Sequence, residues 1–465
     1  MRFSVLLVCA FLVYVGADYS QYRDFLQKQS NNQTFLRQYD AHLRSWASGQ
    51  SVPAVRQEFP CEILEPLPPA TSVNELTPAD IKVVAAFGDS ITAGTGIDAA
   101  TPIGLLTQWR GLSWSVGGDG TFEDVITIPN IIKKYNPNVK GFSVGTGGVD
   151  SRNANLNLAV PGAKSDEMKE QAEALVERMK VEPGVDIEND WKIITLFVGG
   201  NDLCSYCEDK TKYAPEQYVD NIKQALDVLY QHVPKALVNV VPVLNIAIVK
   251  ELNQNLVCDT IHLVLCKCAA YPSNSEEETE MKLAVEAYQK QLTDLISSGQ
   301  FEKDDFAIII QPFFTKTELP QKEGGGPDLA YFAPDCFHLS RSGHQSAATA
   351  LWNNMFEFVG EKDDAWEPGE EVNCPTKENR YFVTYQNSIS KKGFGETNNQ
   401  VQSDENQPSS PSDTSISTSG LIIGACVCAL VAFAAVAVIL YKRRNKHTEK
   451  HHLLDQEVNM SYTQI

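Results

Sequence analysis

Residues 81–91 read IKVVAAFGDSI. The run is apolar apart from Lys82, β-branched at its start, and stopped by Gly88. A short, nearly continuous apolar run of this kind predicts a strand buried on both faces. It also places Gly88-Asp89-Ser90 at the strand's carboxyl end. Similar runs follow at 155–160 (NLNLAV), 191–198 (WKIITLFV), 236–243 (ALVNVVPV) and 305–311 (DFAIIIQ). Helical stretches are predicted between them. The first, 165–180, starts at Ser165 with Asp166 and Glu167 in its opening turn. The second, 215–232, opens on Pro215 and carries Tyr218, Ile222, Ala225, Leu226 and Leu229 on one face; 278–297 and 342–358 are similar. Strands alternating with helices predict a three-layer α/β/α domain around a parallel sheet of about five strands. In such sheets chemistry gathers at the carboxyl ends of the strands, which directs attention to the loops after Phe87, Val160 and Val198.

The flanks of this core read differently. The chain has 465 residues, 43% hydrophobic and 21% charged, which excludes a disordered polymer and a fibrous repeat. Residues 1–17 read as a signal peptide: Arg2, an apolar run, then Val-Gly-Ala. Residues 18–78 read as an N-terminal extension and 79–386 as the α/β domain. Residues 387–420, rich in Ser, Asn, Gln and Pro, form a flexible stalk. Residues 421–441 carry no charge and are long enough for a single transmembrane helix. Lys442, Arg443, Arg444 and Lys446 follow it, which predicts a cytoplasmic tail at 442–465 and an extracellular N-terminal bulk: a single-pass type I protein of the plasma membrane. The polar tail after the apolar run argues against a GPI signal. A net charge of −20 excludes nucleic acid held by phosphate neutralisation.

Of 11 cysteines, Cys9 falls in the signal and Cys426 and Cys428 in the apolar run. Eight remain: Cys61, Cys204, Cys207, Cys258, Cys266, Cys268, Cys336 and Cys374. An even number in an oxidising compartment predicts four disulfides, with the pairing open. The other use of Cys204-x-x-Cys207 and Cys266-x-Cys268 is zinc, but the second spacing is too tight for a usual site. No metal or cofactor is expected. Asn32-Gln33-Thr34 is a glycosylation sequon.

Three loops and one histidine supply the chemistry. Ser90 follows a buried strand and a glycine, so its hydroxyl is presented at the strand end. Gly162 precedes a helix and leaves its N–H open to an incoming group. Asn201, in Val198-Gly199-Gly200-Asn201-Asp202, offers a neutral amide donor for a developing oxyanion. Taken singly, each is also a common turn. A nucleophilic serine needs a base. His447, His451 and His452 fall in the tail, His42 in the extension, His232 at a helix end and His262 between cysteines. Of His338 and His344, only His338 has a carboxylate, Asp335, three residues before it, where it can fix the imidazole tautomer.

Together these segments resemble the SGNH, or GDSL-type, hydrolases. The Gly-Asp-Ser block, the glycine block, Gly-x-Asn-Asp and Asp-x-x-His all occur in that family's order. The resemblance implies a flavodoxin-like SGNH fold. It implies Ser90 as nucleophile, His338 as base and Asp335 as its orienter, with an oxyanion hole from the Ser90 and Gly162 N–H groups and the Asn201 amide. Ile91 stands where that family usually has leucine. The absence of a Gly-x-Ser-x-Gly elbow separates the chain from the α/β-hydrolases. The stretches TSVNELTPADIKVVAAFGDSITAGTG, QWRGLSWSVGGDGTFEDVITIPNIIKKYNP and ITLFVGGNDLCSYCED, with DCFHLS, further resemble the membrane-associated phospholipase B family. That implies acyl-ester hydrolysis of phospholipids and lysophospholipids. Trp109, Arg110 and Trp114 then become acyl-pocket candidates, or ordinary packing. A deacetylase of small or carbohydrate esters and a non-catalytic binding ectodomain are the competing readings. In the tail, Glu449 ahead of Leu453-Leu454, and Tyr462 with Ile465, resemble sorting signals read by clathrin adaptors, which predicts cycling through endosomes.

Overall fold

The computed structural model describes residues 17–49, 58–322 and 324–388. The signal segment before residue 17, nearly all of the stalk, the apolar run at 421–441 and the tail with Leu453, Leu454 and Tyr462 lie outside the described residues. Among the described residues no helix is long and apolar enough to cross a membrane.

The sheet contains β1 (Ile81–Gly88), β2 (Trp191–Phe197), β3 (Ala236–Val241) and β4 (Phe306–Ile310), all parallel and ordered as they occur in the chain. The helices are α1 (Ala17–Gln29), α2 (Gln33–Gly49), α3 (Ser90–Ala93), α4 (Ile128–Tyr135), α5 (Met168–Val181), α6 (Gly200–Cys204), α7 (Pro215–His232), α8 (Leu256–Leu265), α9 (Lys267–Ala270), α10 (Ser275–Ser297) and α11 (Arg341–Asn354). Every strand except β1, where Lys82 is exposed, is buried along its whole length. Side chains alternate between two cores, as the period of two requires. Val83, Ala85, Phe87, Ile194, Leu196, Val238 and Ile308 pack with α5, α7 and α10. Ile193, Phe197, Leu237, Ala307 and Ile309 pack with α4 and α11.

The sheet has four strands where about five were expected. Residues 155–160 do run along β1: Ala86 N donates to Leu156 O, and the Leu158 and Val160 N–H groups donate to Ala86 O and Gly88 O. They form one bridge, Ala86 to Asn157, rather than a ladder. The reason lies on the segment's outer side. Asn155 has φ 45°, which breaks the extended run at its start. The buried Arg110 then takes the outward carbonyls, with Nη1 on Asn157 O at 2.9 Å and Nη2 on Ala159 O at 2.7 Å. Its Nε also donates to Gly147 O at 2.8 Å. A guanidinium, with donors in a rigid fork, satisfies this edge.

All eight cysteines among the described residues are paired: Cys61–Cys374, Cys204–Cys266, Cys207–Cys268 and Cys258–Cys336. The cysteines weighed for zinc form two adjacent bridges instead. Asn32 is exposed in the turn between α1 and α2, where its Oδ1 accepts from the Thr34 and Phe35 N–H groups and caps α2. The two N-terminal helices dock on the domain, burying Tyr22, Leu26, Phe35 and Tyr39 against Val257 and Ile261 of α8. At the other end, Asn387 donates to Asn74 O and Phe382 O, so packed structure continues to the start of the expected stalk.

Replacing Arg110 with methionine keeps much of its volume but orphans the buried Asn157 and Ala159 carbonyls and the part-buried Gly147 carbonyl. At about 1–3 kcal/mol for each unsatisfied buried group, Arg110→Met should lower unfolding stability by at least about 2 kcal/mol, read as a drop in the urea midpoint at constant m.

Candidate active site

The site is assembled at the carboxyl end of the sheet, beginning with how the chain leaves β1. Gly88 has φ 144°, and a Cβ there would lie 2.0 Å from Phe197 O, so only glycine lets β1 and β2 run this close. The Gln171 side chain of α5 brackets the same peptide, accepting from Gly88 N at 2.8 Å and donating to Gly88 O at 3.0 Å. Asp89 then caps the one-turn helix α3 by accepting from Ile91 N at 3.0 Å. Burial is the largest influence on its carboxyl and pushes it up to about 7. Ser90 is the first residue of that turn and is only 4% exposed. Gln171 was not singled out from sequence, because a glutamine on an amphipathic helix carries no local signal.

His338 Nε2 lies 2.9 Å from Ser90 Oγ, and His338 Nδ1 lies 2.6 Å from Asp335 Oδ2. The carboxylate requires Nδ1–H as donor, which leaves Nε2 to accept the serine O–H. Asp335 Oδ1 accepts from the Phe337 and His338 N–H groups, each at 3.0 Å. Tyr22 Oη donates to Oδ2 at 3.4 Å. Burial pushes the Asp335 carboxyl up, but His338 and the N–H donors outweigh it and hold the group below the ordinary aspartate range. The arrangement can pass a proton from Ser90 to an imidazole whose orientation is held from behind.

The other two candidate residues lie on the neighbouring loops. Gly162 has φ 82° in the loop after residue 160. Asn201 sits in the first turn of α6, and its Nδ2 donates to Ala163 O at 2.9 Å; the second amide hydrogen is left over. Among the described residues, no backbone hydrogen bond is made by the Ser90 or Gly162 N–H. Asp202 ties the two loops together, accepting from Ser165 N and from Ser165 Oγ at 2.6 Å. The structure therefore brings together Ser90, Gly162, Asn201, Asp335 and His338, and leaves Asn32 apart in its surface turn.

From Ser90 and Asn201 an apolar slot runs inward between Val243, Ile246, Val249, Leu252, Phe337 and Trp366. Several of these residues come from the loop after β3, which the sequence reading passed over. Trp109, Arg110 and Trp114 do not line the slot. Trp109 packs with Ile97, Leu112 and Val125. Trp114 lies edge-on to Phe197 and Phe313, behind the wall. Arg110 serves the backbone described above. His344 is a buried residue of α11 whose Nδ1 accepts from Trp114 N at 3.3 Å; burial pushes it down to about 3, so it stays neutral.

A family profile described as GDSL-like Lipase/Acylhydrolase matches residues 84–351. The chain is 43% identical over 329 residues to "Phospholipase B1, membrane-associated" of Mus musculus, covering 69% of this chain and 22% of that protein. It is 45% identical over 333 residues to the protein of that name from Homo sapiens, covering 70% and 23%. The chain thus spans less than a quarter of the length of these relatives.

The two buried histidines can be separated by experiment. His338→Gln should abolish capture of a fluorophosphonate probe at Ser90. His344→Gln should leave capture intact and cost about 1–3 kcal/mol of stability through its broken backbone contact. Peptide mapping of the probe adduct and thermal unfolding read the two effects, and equal loss of capture in both variants would refute the distinction.

Proposed function

The chain belongs to the GDSL-like lipase/acylhydrolase family, and from that premise we propose that it is a serine esterase that hydrolyses the acyl esters of phospholipids and lysophospholipids. The observation that carries this reading is the apolar slot that starts at Ser90, beside the hydrogen-bonded series Ser90–His338–Asp335.

In the proposed mechanism the acyl chain lies in the slot, with its carbonyl carbon at Ser90 Oγ. His338 Nε2 takes the serine proton as Oγ attacks. The carbonyl oxygen becomes an oxyanion held by the Ser90 and Gly162 N–H groups and the remaining Asn201 amide hydrogen. Asp335 keeps Nδ1–H directed and stabilises the imidazolium. That imidazolium gives its proton to the departing alcohol oxygen, leaving an acyl ester on Ser90. A water molecule then attacks the ester, with His338 taking its proton and returning one to Ser90 as the fatty acid leaves.

The similarity to proteins named membrane-associated phospholipases supports the lipid class, and it supports placing the enzyme at a membrane surface. We assign anchoring to the uncharged run 421–441, and adaptor-dependent cycling to Leu453, Leu454 and Tyr462 in the tail. A deacetylase would have little use for a slot walled by Val243, Val249, Leu252 and Trp366, since an acetyl group would leave it empty.

Ser90→Ala should abolish hydrolysis of doubly labelled phosphatidylcholine without affecting folding. Asn201→Ala should lower kcat by roughly 10²–10³ with KM little changed, the usual effect of losing one oxyanion donor. The parent protein should prefer a long-chain p-nitrophenyl ester to p-nitrophenyl acetate. A preference for the acetate, or for an acetylated sugar, would favour the deacetylase.

A further inference from the structure

Asp335 receives a donor from outside the region that the family profile covers. The helix α1 places Tyr19, Tyr22 and Leu26 on one face, and Tyr22 and Leu26 are fully buried. The Tyr22 hydroxyl reaches Asp335 Oδ2 at 3.4 Å, the same oxygen that accepts from His338 Nδ1. One turn earlier, Tyr19 abuts Gly162 so closely that a Cβ on the glycine would lie 2.6 Å from Tyr19 Cβ. The partner helix α2 holds the approach to Asp335: His42 Nε2 donates to Pro334 O at 2.8 Å, and Trp46 Nε1 donates to Phe332 O at 2.8 Å. Three side chains of the N-terminal helices therefore grip four successive residues' worth of the loop that carries the orienting carboxylate.

We propose that Tyr22 is a positioning residue for the reaction, its hydroxyl fixing the rotamer and the charge of Asp335 and so the aim of His338 at Ser90. This inference rests on the reading of Ser90, His338 and Asp335 as the reacting series.

The physical case is one of lone pairs. A buried carboxylate must have its acceptor sites filled. Oδ1 is filled by two backbone N–H groups of its own loop. Among the described residues, Oδ2 accepts from the imidazole and Tyr22 alone. Without the tyrosine O–H, His338 Nδ1–H is the one donor left to that oxygen among them, and the carboxylate can rotate to share it less well. Burial keeps the Tyr22 phenol far above its ordinary range, so it remains a neutral donor at every working pH. The titratable groups around this pair are Tyr19, Tyr39, His42 and His262 on the Asp335 side and Asp89 and His344 on the His338 side. Of these, Tyr19 and Tyr39 also interact with Tyr22, and burial raises both phenols, so they stay neutral.

A control is built into the same core. Tyr39 is also buried, 1% exposed, and its hydroxyl has no hydrogen-bond partner among the described residues. Tyr22→Phe and Tyr39→Phe each remove one hydroxyl from one apolar cluster, but only the first touches Asp335.

The test compares the parent, both variants and Ser90→Ala on a soluble p-nitrophenyl ester, with active-site concentration set by fluorophosphonate titration. Tyr22→Phe should lower kcat about tenfold, the size expected for losing a hydrogen bond to a charged group, with KM nearly unchanged. The acid limb of its kcat/KM profile should move to higher pH, because a carboxylate relieved of one donor holds the imidazolium proton longer. Tyr39→Phe should match the parent in both respects. Fluorotyrosine at position 22, a stronger donor of nearly the same size, should move the acid limb the opposite way and keeps the test open if Tyr22→Phe folds poorly. Parent-like kcat and pH profile in Tyr22→Phe, with Ser90→Ala inactive, would overturn the role of Tyr22. So would a loss that merely tracks the fraction of titratable sites. Activity retained in Ser90→Ala would instead overturn the underlying reading of the site.

Discussion

The buried charge of Asp335 is the constraint around which the rest of the site is arranged. Taking a carboxylate out of water costs several kcal/mol even after the protein relaxes, and Asp335 is fully buried. The cost is offset only by donors that stay in place. Two come from its own loop, which must turn sharply enough to bring the Phe337 and His338 N–H groups onto Oδ1. That turn puts Cys336 at φ 59°, a left-handed conformation that costs an ordinary residue about 1 kcal/mol or more. The surroundings over-determine it. Cys336 is bridged to Cys258 of α8, His262 Nε2 lies 3.1 Å from Cys336 O, and α2 holds the preceding carbonyls. The helices packed on this loop are thus part of what allows a charge to exist there.

The serine side solves the complementary problem of placing a hydroxyl. Gly88 lets two strands converge, Gln171 fixes the peptide that joins strand to turn, and Asp89 caps the turn. Farther out, Arg110 fills the carbonyls at the edge of the segment leading to Gly162. These supports are backbone-directed and come from distant parts of the chain, so in the proposed reaction the oxyanion donors are held before a substrate arrives. Such preorganisation makes electrostatic stabilisation effective.

This division also explains what could be read in the sequence. The strands β1 to β4 announced themselves as apolar runs, because burial on both faces favours apolar residues, with Lys192, Thr195 and Asn239 as buried exceptions. Ser90, Gly162, Asn201, Asp335 and His338 were legible because each lies in a short block whose residues act on one another locally: a glycine before a serine, an acid one turn before a histidine. What escaped the reading acts over long separations. Arg110 looked like a candidate pocket residue and is a backbone clamp. Residues 155–160 looked like a full strand, and their outer carbonyls instead meet that clamp. Tyr22 touches Asp335 across 313 residues, and nothing in the spacing of either announces the other. Part of the slot wall, Ile246, Val249 and Leu252, comes from a 3₁₀ segment after β3, where apolar residues recur every three positions rather than at the α-helical or strand period.

The apolar slot and the polar series beside it are physically coupled. Hydrogen bonds and charge pairs strengthen as local dielectric falls, and Val243, Val249, Leu252 and Phe337 make the slot side of Ser90 apolar. A long acyl chain completes this enclosure by displacing water from the slot, at roughly 0.8 kcal/mol for each buried methylene. A short acyl group would leave water beside the serine, where it screens the oxyanion donors and competes for His338 Nε2. Chain length therefore acts twice in the proposed reaction, once in binding and once in the medium in which the proton moves. In the proposed reaction, selectivity for lipid esters follows from that coupling.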